Sequence, residues 1–247
     1  MPATPAWPPK SLPRLFVRQP LGAGAHIELY AAQANYLGNV LRMSARAQLL
    51  VFDGSSGEWL ARIVDTGKKR MTLTIERRTR KPETIPDVWL AFAPVKRAQT
   101  DWLVEKATEL GAARLIPVMT QRTVTERVKM ERLEAIAIEA AEQCGRTRLP
   151  DIAEPVALAK FLDRRDPTRI LYFADENGGD APLASFGKGA ALILIGPEGG
   201  FTDEERALVR AAPNSVAISL GPRILRAETA ALAALAAYMA VAGDWRS

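Results

Sequence analysis

Two uninterrupted apolar runs, at residues 169–174 and 190–195, constrain this chain most. A strand that alternates apolar and polar residues buries one face; a run without alternation is covered on both. Such strands belong to parallel sheets flanked by helices, and helical patterns intervene here. Residues 88–95, 114–118 and 215–220 read as further strands. Between them, 101–110 sets Leu103, Ala107 and Leu110 on one face and stops at Gly111. From Met130 to Cys144, the residues Met130, Leu133, Ile136, Ala137, Ala140, Ala141 and Cys144 form a stripe at helical spacing, which predicts a core position for Cys144. Thr202 with Glu205 three residues on is a capping box, and 224–240 is an alanine-rich helix. The spacing predicts an α/β domain with a mostly parallel sheet over 87–247.

Before Pro86 the pattern changes to short strands and turns. Strands are predicted at 14–17, 27–30, 48–52, 59–64 and 71–75, with a short helix at 34–42 and a turn at Asp53-Gly54-Ser55-Ser56-Gly57. Close spacing of short strands suggests a small β-barrel over 13–78. The basic, proline-containing stretch 77–86 reads as the linker. Charge follows the same division. Residues 1–86 hold 13 Lys+Arg against 6 Asp+Glu, a net of +7, whereas 87–247 hold 20 against 22, a net of −2. That asymmetry fits a nucleic-acid-binding segment joined to something else; a plain solubilising surface would give the same count.

Other classes recede. No apolar run approaches the roughly 18 residues of a membrane helix. Residues 1–9 are Pro/Ala-rich, lack the form of a signal peptide, and read as a disordered tail on a cytoplasmic protein. The chain has one cysteine and one histidine, His26, expected on the barrel surface. An intramolecular disulfide and a His/Cys zinc site are thereby excluded, and a Ser-His-Asp triad is disfavoured.

Two loops carry candidate chemistry. Leu194-Ile195-Gly196-Pro197-Glu198-Gly199-Gly200-Phe201 follows one of the apolar strands and precedes the capped helix. Ligands of open α/β sheets bind at the carboxyl ends of strands, where glycine lets backbone approach closely. The segment lacks the dinucleotide and P-loop fingerprints. The second loop, Ser219-Leu220-Gly221-Pro222-Arg223-Ile224-Leu225-Arg226-Ala227-Glu228-Thr229-Ala230, also runs from a strand into a helix. On the helical reading, Arg223 and Arg226 share one face.

Together these loops resemble the RsmE family of 16S rRNA (uracil-N3)-methyltransferases, of the SPOUT class. Further matches are Lys96 and Glu105-Lys106-Ala107-Thr108-Glu109-Leu110-Gly111, then Glu139-Ala140-Ala141-Glu142-Gln143-Cys144-Gly145-Arg146, and in the barrel Val40-Leu41-Arg42 and Phe52-Asp53-Gly54. The family's usual Gly-Asp turn after Val-Leu-Arg is replaced by Ser44-Ala45-Arg46-Ala47. The resemblance implies a PUA-like RNA-binding barrel, a C-terminal α/β domain threaded into a trefoil knot, a homodimer, and S-adenosyl-L-methionine as cofactor. It places that cofactor on Leu194, Gly196, Glu198, Gly199, Gly200, Ser219, Leu220, Gly221, Ile224 and Leu225. Arg14, Arg42, Lys96, Lys106, Arg122, Arg146 and Arg223 are candidates for RNA contact, Arg226 and Glu228 for catalysis. The implied partner is 16S rRNA, in the small ribosomal subunit, with neither metal nor membrane. A SPOUT enzyme acting on tRNA or 23S rRNA and a non-catalytic RNA-binding protein are the alternatives.

Overall fold

The computed structural model describes residues 12–67, 70–125 and 127–246, so the tail at 1–9 lies outside it. The chain divides into two compact units: one runs to Thr84 and takes back Ala141–Arg148, the other comprises Ile85–Ala140 and the chain from Leu149 onward.

The first unit is a five-stranded sheet in the order β1 (Arg14–Phe16), β3 (Gln48–Phe52), β4 (Glu58–Thr66), β5 (Arg70–Arg80), β2 (His26–Tyr30). β1 and β3 are parallel and the other pairs antiparallel. Alternation sets the faces: in β2, Ile27 and Leu29 are buried while His26, Glu28 and Tyr30 are exposed. Leu15 and Leu29, from the two edge strands, enter one core with Leu49, Val51, Ile63 and Leu73, so the sheet curls around it. Register shifts between β4 and β5 add local twist.

Two expectations change here. β5 runs on to Arg80, into the stretch assigned to the linker. Its charged residues conceal a ladder in which Glu58 faces Arg80 and Trp59 faces Arg78, with the Arg78 guanidinium 5.8 Å from the Trp59 ring. The helix at 34–42 is instead α1 (Ala31–Asn35) followed by a π-helical turn, Tyr36–Val40. Beyond it Arg42 and Arg46 stand at φ 54° and 72°, each costing on the order of 1 kcal/mol for a side chain with a Cβ. Arg46 lies in the four residues that replace the family's glycine-containing turn.

The second unit is a parallel sheet in the order β12 (Ser215–Ile218), β10 (Ile170–Ala174), β11 (Ala191–Ile195), β6 (Val88–Phe92), β7 (Arg114–Met119), β8 (Asp151–Ile152), with β9 (Val156–Ala157) also on β7. Leu90, Leu115 and Ile193 on one face pack with Leu103 of α2 (Arg97–Glu109), Leu133 of α3 (Met130–Cys144) and Leu235 of α7 (Ala227–Val241). Ile116, Leu171 and Leu192 on the other meet Phe161 of α4 (Leu158–Arg164) and Val209 of α6 (Asp203–Ala211). A short helix, α5 (Pro182–Ser185), precedes β11. The runs were uninterrupted because both faces are covered. No helix among the described residues is long and apolar enough to cross a membrane.

α7 begins at Ala227, three residues later than expected, because Arg226 is its extended N-cap at ψ 153°. Arg223 and Arg226 therefore do not share a helix face. Ala230, Ala231 and Ala234 are buried in the unit's own core, so much of the close approach these small residues permit is used within the chain. Cys144 is exposed, not in the core: it is the last residue of α3, in the turn that belongs to the first unit.

That turn explains another pair. Arg14 donates Nη1 to the carbonyls of Ala141 and Glu142 at 2.6 and 2.9 Å and Nη2 to that of Arg146 at 2.7 Å, while pairing with Glu58 at 2.8 Å. Arg80 donates to the Gly145 carbonyl at 2.9 Å, and Gly145 stands at φ 84°. Two cations thus cap the carbonyl end of α3, where the helix dipole favours them.

Candidate active site

Because the sheet is parallel, the carboxyl ends of β10, β11 and β12 lie on one edge. The segments leaving them enclose a cavity of about 240 Å³. β11 ends in Ile195 and leads into Gly196, Pro197, Glu198, Gly200 and Phe201; β12 leads into Ser219, Leu220, Gly221, Pro222, Arg223, Ile224 and Leu225; β10 ends in Ala174 and leads into Asp175 and Glu176. Ile218, Leu220, Leu225 and Ala230 give it apolar walls. The turn at 196–201 is held at both ends. Thr202 and Glu205 form the reciprocal capping box, and Glu205 also accepts from the Gln121 backbone at 2.7 Å. Arg122 Nη1 donates to the Gly199 carbonyl at 2.6 Å.

Of the residues expected at the cofactor, eight line this cavity: Gly196, Glu198, Gly200, Ser219, Leu220, Gly221, Ile224 and Leu225. Leu194 does not. Alternation along β11 sends it into the core under α4 and α6, opposite Ile193 and Ile195. Gly199 is also outside the lining, because it faces Arg122.

The reading of the loops missed the contribution of β10. Asp175, with its side chain 1% exposed, accepts from Arg206 Nε at 3.1 Å, Arg210 Nη2 at 2.6 Å and the Asn177 backbone at 3.0 Å. Arg206 also holds Glu176 at 3.1 Å. The strand-end rule that picked out the other two loops, applied after 169–174, points to this pair.

Arg226 is exposed and forms no ion pair among the described residues. It lies between Leu225 and Ala227, both in the lining, without lining the cavity itself. Glu228 is buried, and its Oε2 has no hydrogen-bond partner among the described residues. No bond links it to Arg226 there. Among the cations proposed for RNA, Arg42, Lys96, Arg122 and Arg223 are exposed. Lys106 is held by Glu105 and Glu109 at 2.7 and 2.8 Å, which raise its pKa. Arg14 and Arg146 are corrections. Arg14 is spent on α3, and Arg146, 6% exposed, lies 3.8 Å from Glu83; neither presents its charge to solvent.

The RNA methyltransferase domain family matches residues 81–239, and the RNA methyltransferase PUA domain family matches 29–76. A ribosomal RNA small subunit methyltransferase E of Rickettsia conorii is 33% identical over 229 residues, 90% of this chain and 93% of its own. The chain belongs to the ribosomal RNA small subunit methyltransferase E family. Solved structures agree. The methyltransferase E of Neisseria gonorrhoeae bound to S-adenosyl methionine matches with a TM-score of 0.87 at 29% identity, over 95% of this chain and 99% of that one. A methyltransferase of Legionella pneumophila in complex with the cofactor SAM matches with a TM-score of 0.88 at 31% identity, over 94% and 99%. The methyltransferase E fold, a PUA-like unit with a parallel α/β unit, is thus that of this chain.

For a methyltransferase E chain the glycines of the first loop divide into two kinds. Gly200 stands at φ 66°, and a Cβ built on it would fall 2.3 Å from Glu176 Oε1; one on Gly199 would meet Arg122 at an ordinary 3.4 Å. A side chain in this loop therefore obstructs at Gly200, not at Gly199. Gly200→Ala should weaken S-adenosylhomocysteine binding roughly tenfold, because the free loop relieves about 1–2 kcal/mol of left-handed strain and the Glu176 clash by leaving the conformation that lines the cavity. Gly199→Ala should change it less than about twofold, and calorimetric titration of both separates them.

Proposed function

We propose that this chain transfers a methyl group from S-adenosyl-L-methionine to N3 of a uridine in 16S rRNA, within the small ribosomal subunit. The observation that carries the reading is the convergence of two glycine-bearing strand ends on one cavity, with an arginine beside it, Arg226, that forms no ion pair among the described residues. The cavity fits the cofactor chemically. Apolar walls at Ile218, Leu220 and Ala230 suit its adenine ring and the methylenes of its methionine chain. The carboxylates of Glu176 and Glu198 are acceptors for hydroxyl and ammonium groups, and the glycines let backbone donors come close. When bound, the cofactor supplies an electrophilic methyl on a sulfonium; displacement there requires no metal.

The protein's part is to place the base and manage its charge. Uracil N3 carries a proton and lies on the pairing edge, so the base is unpaired or flipped to reach the site. Loss of that proton develops negative charge, which the Arg226 guanidinium stabilises. Glu228, through its unengaged Oε2, orients the base or Arg226. Family membership favours 16S rRNA over tRNA or 23S rRNA. The test is methylation of small subunits by the purified protein, read by mass spectrometry of RNA digests; no N3-methyluridine, or label only in another RNA, refutes it.

The first unit holds the RNA, mainly through phosphates, and exposed Arg42 is its foremost candidate. RNA affinity should then fall about 10³-fold or more between 50 and 200 mM salt if some six phosphates are contacted; a flat salt dependence in a filter-binding assay counts against it. The reading also includes a cytoplasmic location, the family's trefoil knot and a homodimer. The exposed residues Thr229, Ala233 and Ala240 of α7 are the small face offered to a partner. Light scattering should give about twice the 26.9 kDa monomer mass.

A further inference from the structure

A second cavity, of about 420 Å³, opens on the α4 face of the second unit. It lies toward the amino ends of the strands, at Trp89, Arg114 and Leu192, whereas the candidate active site lies at their carboxyl ends. Its floor is apolar, with Ile116, Phe161 and Leu192 all buried. Five of its lining residues are cations and two, Glu154 and Asp166, are anions.

Most of these charges are already engaged. Arg114 pairs with Asp151 at 3.1 Å, and Arg169 with Asp87 at 2.8 Å. Both guanidiniums also lie over the Trp89 ring, at 4.8 and 3.8 Å from its centroid. Arg165 donates to the carbonyls of Arg169 and Pro213. The Asp166 carboxylate accepts from the Thr168 backbone and hydroxyl at 2.9 and 2.7 Å. Lys160 and Arg164 remain, exposed and without an ion pair among the described residues. They stand four apart on α4, an arrangement of like charges that weakens a helix unless an anion lies between them.

We propose that this cavity is a second binding site, for a nucleotide. Its phosphate is held by Lys160 and Arg164, and its base lies on the apolar floor beside Trp89. The combination of a guanidinium-flanked aromatic, an apolar slot and two exposed cations without an ion pair among the described residues matches a ligand that is flat at one end and anionic at the other. The same chemistry comes from a free nucleotide or from one unit of an RNA strand. The site is separate from the one that carries the proposed methyl transfer.

The test uses the full chain saturated with S-adenosylhomocysteine, so that AMP has no access to the strand-end cavity. Calorimetric titration with AMP at low salt should detect binding. The double variant Lys160→Glu/Arg164→Glu, altered only at exposed positions, should lose at least tenfold in affinity while keeping its melting temperature. Displacement of bound AMP by hexauridylate assigns the site to an RNA strand; AMP that hexauridylate does not displace assigns it to free nucleotide. Absence of AMP binding up to millimolar concentration, or an affinity unchanged in the double variant, overturns the proposal whether or not the protein methylates RNA.

Discussion

Arg226→Ala should lower kcat for methylation of small subunits by roughly 10²–10³-fold, the scale of one lost preorganised donor to a developing anion. S-adenosylhomocysteine affinity should stay within about twofold, because the side chain lies outside the cavity lining. This division follows from the role: an interaction made only as charge develops lowers kcat and kcat/KM together. Arg226→Lys should recover part of the rate, since a point charge lacks the planar guanidinium fork. Arg223 supplies the contrast. It lines the cavity, so Arg223→Ala should act on binding of cofactor or base. If Arg226→Ala leaves turnover near normal, the catalytic cation passes to Arg223 or Lys96. If it lowers melting temperature and cofactor affinity together, Arg226 serves structure at the start of α7.

Asp175→Ala should have the largest effect on stability. The carboxylate is buried between Arg206 and Arg210, and removing it leaves the largely buried Arg206 without its innermost partner. Breaking a buried pair from one side costs about 3 kcal/mol or more, a fall in melting temperature of about 6–12 °C for a chain of this size. Cofactor affinity should fall with it, because Asp175 and Glu176 both line the cavity and Arg206 ties them to α6. Asp175→Asn retains the shape and one acceptor, so it should fall between the alanine variant and the parent. A melting temperature within 2 °C of the parent, read by calorimetry for Asp175→Ala, refutes this assignment.

How much of this was legible depended on whether the information was local. The two uninterrupted runs gave the parallel sheet because burial on both faces removes alternation, a property each strand carries in itself. The capping box at Thr202 and Glu205 was equally local. β8 and β9, of two residues each, have no period to read. Arginine was the main source of error. Arg14 and Arg42 are the same residue in the same basic segment, yet one caps a helix that arrives 127 positions later and the other faces solvent. Charge counting cannot separate them, because the carbonyls Arg14 serves are distant in the chain. Gly199 and Gly200 were indistinguishable for a similar reason: the difference lies in φ and in the carboxylate of Glu176, supplied by another strand.

The return of Ala141–Arg148 to the first unit sets an order of events during synthesis. All five strands of that unit are complete once residue 80 has left the ribosome. Arg14 and Arg80 then have Glu58 beside them, but the carbonyls they cap have not been made. Only when the chain has emerged to residue 148 can the first unit finish, and by then β6, α2, β7 and the whole of α3 are already present. A gene fragment ending near residue 86 therefore encodes a sheet whose two cationic clamps lack the helix-end carbonyls they cap. One beginning at residue 87 carries an orphan strip of the other unit. A cut at the boundary between residues 86 and 87 therefore divides the first unit's own residues between the two fragments.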